Sequence, residues 1–210
     1  MLQNRVDPSG KFIKTSARGL WMGNRGVIHQ DKQITRPFRH KAWITCVLEF
    51  KGRKRTVMAP NRWTELFFLD EATAFAAGHR PCFECRRDDA LRFKACWIKG
   101  NAAHNFTMAT SISEIDDIIH RERIDGGNQK VTYQCAASDI PDGTFILMNG
   151  DPYICRTGLL YRWTPFGYEE PIDMPDAPTV TVLTPHSIVN AFRAGYVPQI
   201  SLVLGKRKRT

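Results

Sequence analysis

The sequence predicts an α+β protein built from two units, a basic α+β unit over residues 1–126 and a β-rich unit over residues 127–210. Three observations carry that expectation. Helix caps, helical spacing of apolar residues and closing glycines cluster between residues 70 and 126. Short alternating runs separated by turn residues dominate from residue 142 onward. No low-complexity linker divides the two parts, so they are expected to pack together.

The elements follow in order. The first 40 residues are rich in Gly, Arg and polar residues and read as loop with short extended pieces. WITCVLEF (43–50) reads as a strand, and RKRTVMA (53–59) as its hairpin partner across Lys51-Gly52. TELFFLD (64–70) is a third extended run. Asp70 caps a helix over 71–77 that Gly78 ends. Asp88 is the expected N-cap of a helix over about 89–99. Ser111 and Glu114 form a capping box for a helix with Ile112, Ile115 and Ile119 on one face. His120, Arg121 and Arg123 occupy its last turn, where the helix dipole favours cations. GTFILMN, YICRT, LLYRWT and TVTVLT (179–184) read as strands, with Asn149-Gly150 as a hairpin turn between the first two. Thr184 is the expected cap of a last helix with Pro185 at its first position, closed by Gly195.

AFAAGHRPC (74–82) is echoed by AFRAGYVPQ (191–199). The shared part describes a helix that buries Phe, ends on a left-handed glycine and is kept from resuming by proline. The second copy has no cysteine, so the cap does not require Cys82 and Cys85.

The chain has 210 residues, of which 42% are hydrophobic, enough for a proper core. Its polar start, MLQNRVDPSGK, lacks the apolar run of a signal peptide. Its apolar patches are too short to cross a bilayer, so a cytoplasmic protein with no membrane partner is expected. Six cysteines in such a chain argue for thiols or metal rather than a disulfide scaffold. Charge is uneven: residues 1–62 hold 14 Lys/Arg against 3 Asp/Glu, and residues 63–205 hold 12 against 18. A surplus confined to one end points to a polyanionic partner, nucleic acid in particular.

Cys82 and Cys85 have C-x-x-C spacing on a turn between charged residues. A metal knuckle, a redox pair and buried filler are the three readings. A redox pair needs the motif to open a helix directly after a strand, whereas a helix and a Gly-x-x-Pro turn precede it here. Glu84, Arg86 and Arg87 make the turn a poor core site, so a metal knuckle is favoured. Cys46, on the strand upstream, is the best third ligand, with a small core residue as its alternative. His29 is favoured as the fourth ligand, ahead of His79 and His40. Cys96, Cys135 and Cys155 read as packing thiols.

FFLDEATAFAAGHRPCFECRR resembles the second half of the metal-binding domain of the Ada DNA-repair methyltransferase family. Ala76, Ala77, Gly78, Arg80, Pro81, Cys82, Cys85 and Arg86 match that family's segment in place, over about 25 of the 210 residues. The resemblance implies that Cys82 and Cys85 are the downstream pair of a zinc site and that the domain touches DNA phosphates. The family's upstream pair has C-x-x-x-C spacing. Here Cys46 stands alone, with no cysteine at 42 or 50, so a Cys3His site with His29 is the simplest repair and methyl transfer is not expected.

Two further groupings bear on function. The loop RGLWMGNRGVIHQD (18–31) carries Asn24, Arg25, His29 and Asp31, a set suited to phosphate binding and proton transfer in a hydrolase of phosphoesterase type. It matches no phosphate-loop or nucleophile-elbow motif. Arg36, Arg39, His40 and Lys41, then Lys51, Arg53, Lys54 and Arg55, form basic clusters near Trp21, Phe38, Trp43 and Trp63. With Arg86 and Arg87 they suit phosphate neutralisation plus base stacking. Lys206–Arg209 adds a basic tail. The expectation is a Zn2+-binding protein that contacts DNA, in repair or processing, with the hydrolase as its alternative.

Overall fold

A computed structural model describes residues 1–53 and 56–202. The Gly- and Arg-rich opening supplies β1 (Arg5–Val6), β2 (Phe12–Ile13) and β3 (Trp21–Asn24). It ends in a small hairpin of β4 (His29–Gln30) and β5 (Gln33–Ile34). β6 (Ile44–Cys46), β7 (Leu66–Phe68), helix α1 (Glu71–Ala76) and β8 (Arg80–Pro81) follow. Six of these strands form one sheet in the order β2-β1-β7-β3-β6-β8, with β1–β7 and β6–β8 parallel and the other neighbours antiparallel. Gly23 allows β3 its central place, because a Cβ there would collide with the Ile44 carbonyl on β6 and the Phe68 ring on β7.

The hairpin expected between 43–50 and 53–59 is corrected. Strand β6 has only three residues, and both its edges are taken, by β3 with Met22 opposite Cys46 and by β8. Lys51 (φ 51°) and Gly52 (φ 65°) do turn the chain. No ladder follows among the described residues, and Met58 packs inward, its amide bonded to Glu65 Oε2 at 2.8 Å. Lys54 and Arg55 lie outside the described residues.

Helix α1 is capped by Asp70, whose Oδ1 accepts from Thr73 N at 2.8 Å. Helix α2 (Arg87–Gly100) begins earlier than expected, with Arg86 at the N-cap and Asp88 and Asp89 in the first turn. The cause is the Arg86 amide, which donates to the Cys82 carbonyl at 3.0 Å and carries the cysteine turn straight into the helix. The acids still favour the helix N-terminus through the dipole. Helix α3 (Ile112–Arg123) has the expected capping box.

Strands β9 (Tyr133–Ala136), β10 (Phe145–Met148), β11 (Asp151–Arg156), β12 (Leu159–Thr164), β13 (Gly167–Tyr168), β14 (Ile172–Asp173) and β15 (Thr179–Val182) precede helix α4 (His186–Arg193). They form an antiparallel sheet in the order β13-β12-β11-β10-β15-β9, with β14 also paired to β12. Asn149 (φ 52°) and Gly150 (φ 84°) make the expected tight turn. Pro185, not Thr184, stands at the α4 N-cap, and Thr184 Oγ1 instead accepts from Phe145 N at 2.9 Å, pinning the helix to β10.

The echoed segments meet. In each, the glycine amide bonds a Phe carbonyl, Gly78 to Phe75 at 2.8 Å and Gly195 to Phe192 at 3.0 Å. Phe75 then packs edge-on to Phe192 at 5.4 Å and to Tyr196 at 5.3 Å, within a core shared with Phe93, Trp97, Ile115 and Ile188. The buried acids at the start of α1 bind the C-terminal half. Asp70 accepts from Tyr168 Oη at 2.7 Å and from Ser201 N at 3.0 Å, and Glu71 from Tyr196 Oη at 2.8 Å and Gln199 N at 2.9 Å. The result is a mixed α+β protein, as the sequence indicates.

Candidate metal centre and its cleft

The three-cysteine cluster follows from strand register. Strands β6 and β8 run parallel with Thr45 opposite Pro81, and the Cys82 amide continues the ladder to the Thr45 carbonyl at 3.0 Å. Cys46 therefore stands beside Cys82, and the C-x-x-C turn brings Cys85 round to both. The three Sγ atoms all lie within 4.8 Å of one another. Three thiolates on one tetrahedral ion, at about 2.3 Å each, stand roughly 4 Å apart. The thiols of Cys46, Cys82 and Cys85 are thus placed to share one metal ion.

Neighbouring residues hold this turn. Arg80 makes a two-pronged ion pair with Asp116 of α3, Nε–Oδ1 at 2.8 Å and Nη2–Oδ2 at 2.7 Å, both residues buried. Arg86 pairs with Glu71 at 2.5 Å and Asp89 at 2.8 Å and lies 4.0 Å over the Trp21 ring. Gly78 (φ 82°) precedes the turn, and a Cβ there would strike the Arg123 side chain.

The thiols are electrostatically unequal. Hydrogen bonds from Cys46 and Cys85, joined by the Cys85 and Glu84 amides, pull the Cys82 thiol far below its ordinary value against the effect of burial. The Glu84 amide reaches Cys82 Sγ at 3.3 Å. Cys46 is pushed up by its hydrogen bonds to Cys82 and Cys85 and by burial. Cys85 is lowered by its bond to Cys46 but raised more by Cys82 and burial. Metal binding takes up the thiolate forms, so a cation held by these three cysteines displaces their remaining protons.

All three cysteines line a cleft of about 740 Å³. Its apolar wall comprises Met22, Val27, Ile44, Phe50 and Trp63, and its polar groups include Asn24, Asn61, Glu65, Arg53 and Arg62. Arg53 reaches across the rim to Glu84 at 2.7 Å, an exposed pair of small energetic weight.

The fourth expected ligand is corrected. His29 is turned away, its Nδ1 2.6 Å from Thr64 Oγ1 and its Nε2 3.2 Å from the Ala59 carbonyl. Among the described residues no further Cys, His, Asp or Glu joins the cluster. His79 is fully buried against Trp43 and Phe68, with its Nε2 accepting from Arg25 Nε at 3.3 Å, and His40 is exposed. Strand β8 leads into the motif and α2 leaves it at Arg87, so the pair does open a helix after a strand. The third sulfur at Cys46 is what now separates it from a two-cysteine redox turn.

The residues of the 18–31 loop are not gathered into one site. Arg25 is buried, 3.7 Å from the Trp43 ring and 4.8 Å from the Phe12 ring, and donates to Gly10 O at 3.1 Å. Burial lowers it to about 9, partly offset by Asp7. Asp31 (φ 50°) shapes the β4–β5 turn. Of the four candidate residues Asn24, Arg25, His29 and Asp31, Asn24 lines the cleft, its Oδ1 accepting from Gly26 N at 3.3 Å.

Among the expected DNA contacts, Arg39, Lys41, Arg53 and Arg87 are exposed, Lys41 being paired with Asp117 at 2.8 Å. Arg86 is buried in its ion pairs, which removes it from any contact surface. Lys54, Arg55 and the Lys206–Arg209 tail lie outside the described residues. The sequence reading missed Glu65. Its signal was an acid at the head of the apolar run TELFFLD, where a buried charge needs a reason.

Comparison with known proteins brings no match: no family model, no curated protein and no solved structure matches the chain significantly. Among the described residues no helix is long and apolar enough to cross a membrane.

Proposed function

We propose that this chain is a zinc-binding protein that contacts DNA, akin to the metal-binding domain of the Ada family in its cysteine turn but without methylphosphotriester transfer. The observation that carries it is the convergence of Cys46, Cys82 and Cys85 from two strands and a turn onto one point. An all-thiolate set at tetrahedral spacing suits zinc above the harder divalent ions. Zinc, if bound, would be held by Cys46, Cys82 and Cys85, would tie β6 to the turn before α2 and would supply Lewis acidity beside the cleft.

Support for DNA is electrostatic. The basic surplus lies in residues 1–62, and Arg36, Arg39, Lys51 and Arg62 are exposed. A Cβ on Gly26 would touch the Arg39 side chain, and the Gly26 carbonyl accepts from Thr64 N at 3.1 Å, so Arg39 stands beside the segment carrying Arg62 and Trp63. The arrangement suits phosphate neutralisation along the cleft rim.

The test is duplex DNA binding across a salt series. Each phosphate contact contributes about 0.9 to the slope of log K against log salt. Replacing Arg39 and Arg62 together by Ala is expected to lower the slope by about 2 and to weaken binding whatever the sequence. No binding at low salt, or a slope untouched by the double change, contradicts the DNA reading.

A further inference from the structure

The cleft beside the cysteines has a make-up that phosphate contact alone does not explain. Its volume, about 740 Å³, is that of a small-molecule site rather than of a groove for a duplex backbone. Trp63 is 54% exposed on its wall, while the other four tryptophans are buried or half-buried. Phe50 shares the lining. An indole left in solvent beside an apolar wall is a platform on which a flat ring can stack.

Two polar side chains of the lining are largely buried and turn one polar atom each to the protein. Glu65 is 8% exposed and engages Oε2 on the Met58 amide; its Oε1 has no partner among the described residues. Asn24 is 4% exposed and engages Oδ1 on the Gly26 amide; its Nδ2 likewise has no partner there. Neither of these atoms is sealed from solvent: both side chains open onto the cleft, where they present a carboxylate acceptor and an amide donor to a ligand that offers both a donor and an acceptor. Arg62 on the same lining is exposed and supplies a cation. A flat ring with a donor–acceptor edge, attached to an anion, is a nucleotide.

Resting on the DNA-contact reading, we propose that the cleft takes one nucleotide lifted out of the stack. Its base lies on Trp63 with its edge toward Asn24 and Glu65, and its phosphate lies at Arg62. A base that is already unpaired costs less to extrude than a paired one, so the cleft favours DNA carrying a defect over intact duplex.

The experiment compares a fluorescein-labelled duplex carrying a one-nucleotide bulge with the matched duplex of the same length, by anisotropy at one salt concentration. The bulged duplex is expected to bind about tenfold tighter, the scale of one base–aromatic stack. Trp63→Ala should bring it down to the matched level, and Trp63→Phe should restore most of the preference. Trp63 is exposed, so both variants should keep their metal content and melting temperature. Equal affinity for the two duplexes, or a preference that survives Trp63→Ala, overturns the nucleotide cleft and leaves the phosphate contact standing. Binding to neither duplex overturns both.

Discussion

The amide of Cys82 donates to the carbonyl of Thr45 at 3.0 Å, and this single bond sets the two sources of thiol side by side. It extends the parallel pairing of β6 with β8 by one residue, so that Cys46 lies directly across from the start of the C-x-x-C turn on the neighbouring strand. A site assembled by register is sensitive to each ligand. Cys46→Ser, which keeps size and polarity, is expected to reduce bound metal from one equivalent to a small fraction. Cys82→Ser should do the same and lower the thermal midpoint, since structural zinc contributes folding free energy directly. Elemental analysis and a melting curve on each variant check this.

Glu71 ties three parts of the molecule together: Arg86 at the start of α2, and Tyr196 and Gln199 of the C-terminal half. Removing one partner of a buried pair leaves the other charge uncompensated, at a cost of about 3–5 kcal/mol. Glu71→Ala is expected to destabilise the protein on that scale, read as a shift of the urea unfolding midpoint. Lys41→Ala breaks only the exposed pair with Asp117 and should cost below about 1 kcal/mol.

Acid should weaken the fold through its histidines. Burial first, then Arg123 and Lys41, hold His120 down to about 4, and its Nδ1 lies 2.6 Å from Arg123 Nη2. Burial, with Arg25 and Arg123, holds His79 well below its usual range. A histidine depressed in the folded state is neutral there while its unfolded counterpart takes up a proton near pH 6.5. The stability it contributes is complete above that pH and is lost as pH falls from about 6.5 toward 4. Urea midpoints at pH 7.5 and 4.5 should show the drop, and His120→Gln should make it smaller.

Methyl transfer is expected to be absent. Strand alternation puts Ile44, Cys46 and Leu48 on one face, and the sequence suggests that this face is buried. In the structure Cys46 is buried, 6% exposed, but it lines the cleft with Ile44, and Leu48, beyond the end of β6, is 47% exposed, so the burial of this face is partial. The expectation rests instead on ligand count: methylating Cys46 would leave the metal two thiolates, with no further donor in the cluster among the described residues. Intact mass after incubation with DNA bearing methylated phosphates should be unchanged; a gain of one methyl group on Cys46 would contradict this.

Local chemistry made much of the fold legible. The Asp70 cap, the Ser111–Glu114 box, the Asn149-Gly150 turn and the glycine ends of α1 and α4 all depend on neighbours in sequence, and all are present. The pairing of β6 was not legible, because a short apolar run does not say whether its partner is the next segment or, as here, β3 and β8. The same limit governed the site. Cys82 and Cys85 announced themselves by spacing, and Cys46 by lying on an upstream strand. His29 looked equally available, and only tertiary placement spends its two nitrogens on Thr64 and Ala59. Arg25 and Arg86 show that a basic residue in a basic stretch can be a core residue, when an aromatic ring or a buried carboxylate takes it up.

The most direct measurement is metal content together with thiol reactivity on protein purified without added metal. One zinc per chain is expected, with Cys46, Cys82 and Cys85 protected from a thiol reagent under native conditions and released together when a chelator removes the ion. Far less than one equivalent of metal, with these three thiols reacting as readily in the native protein as in the chelated one, would contradict the zinc centre.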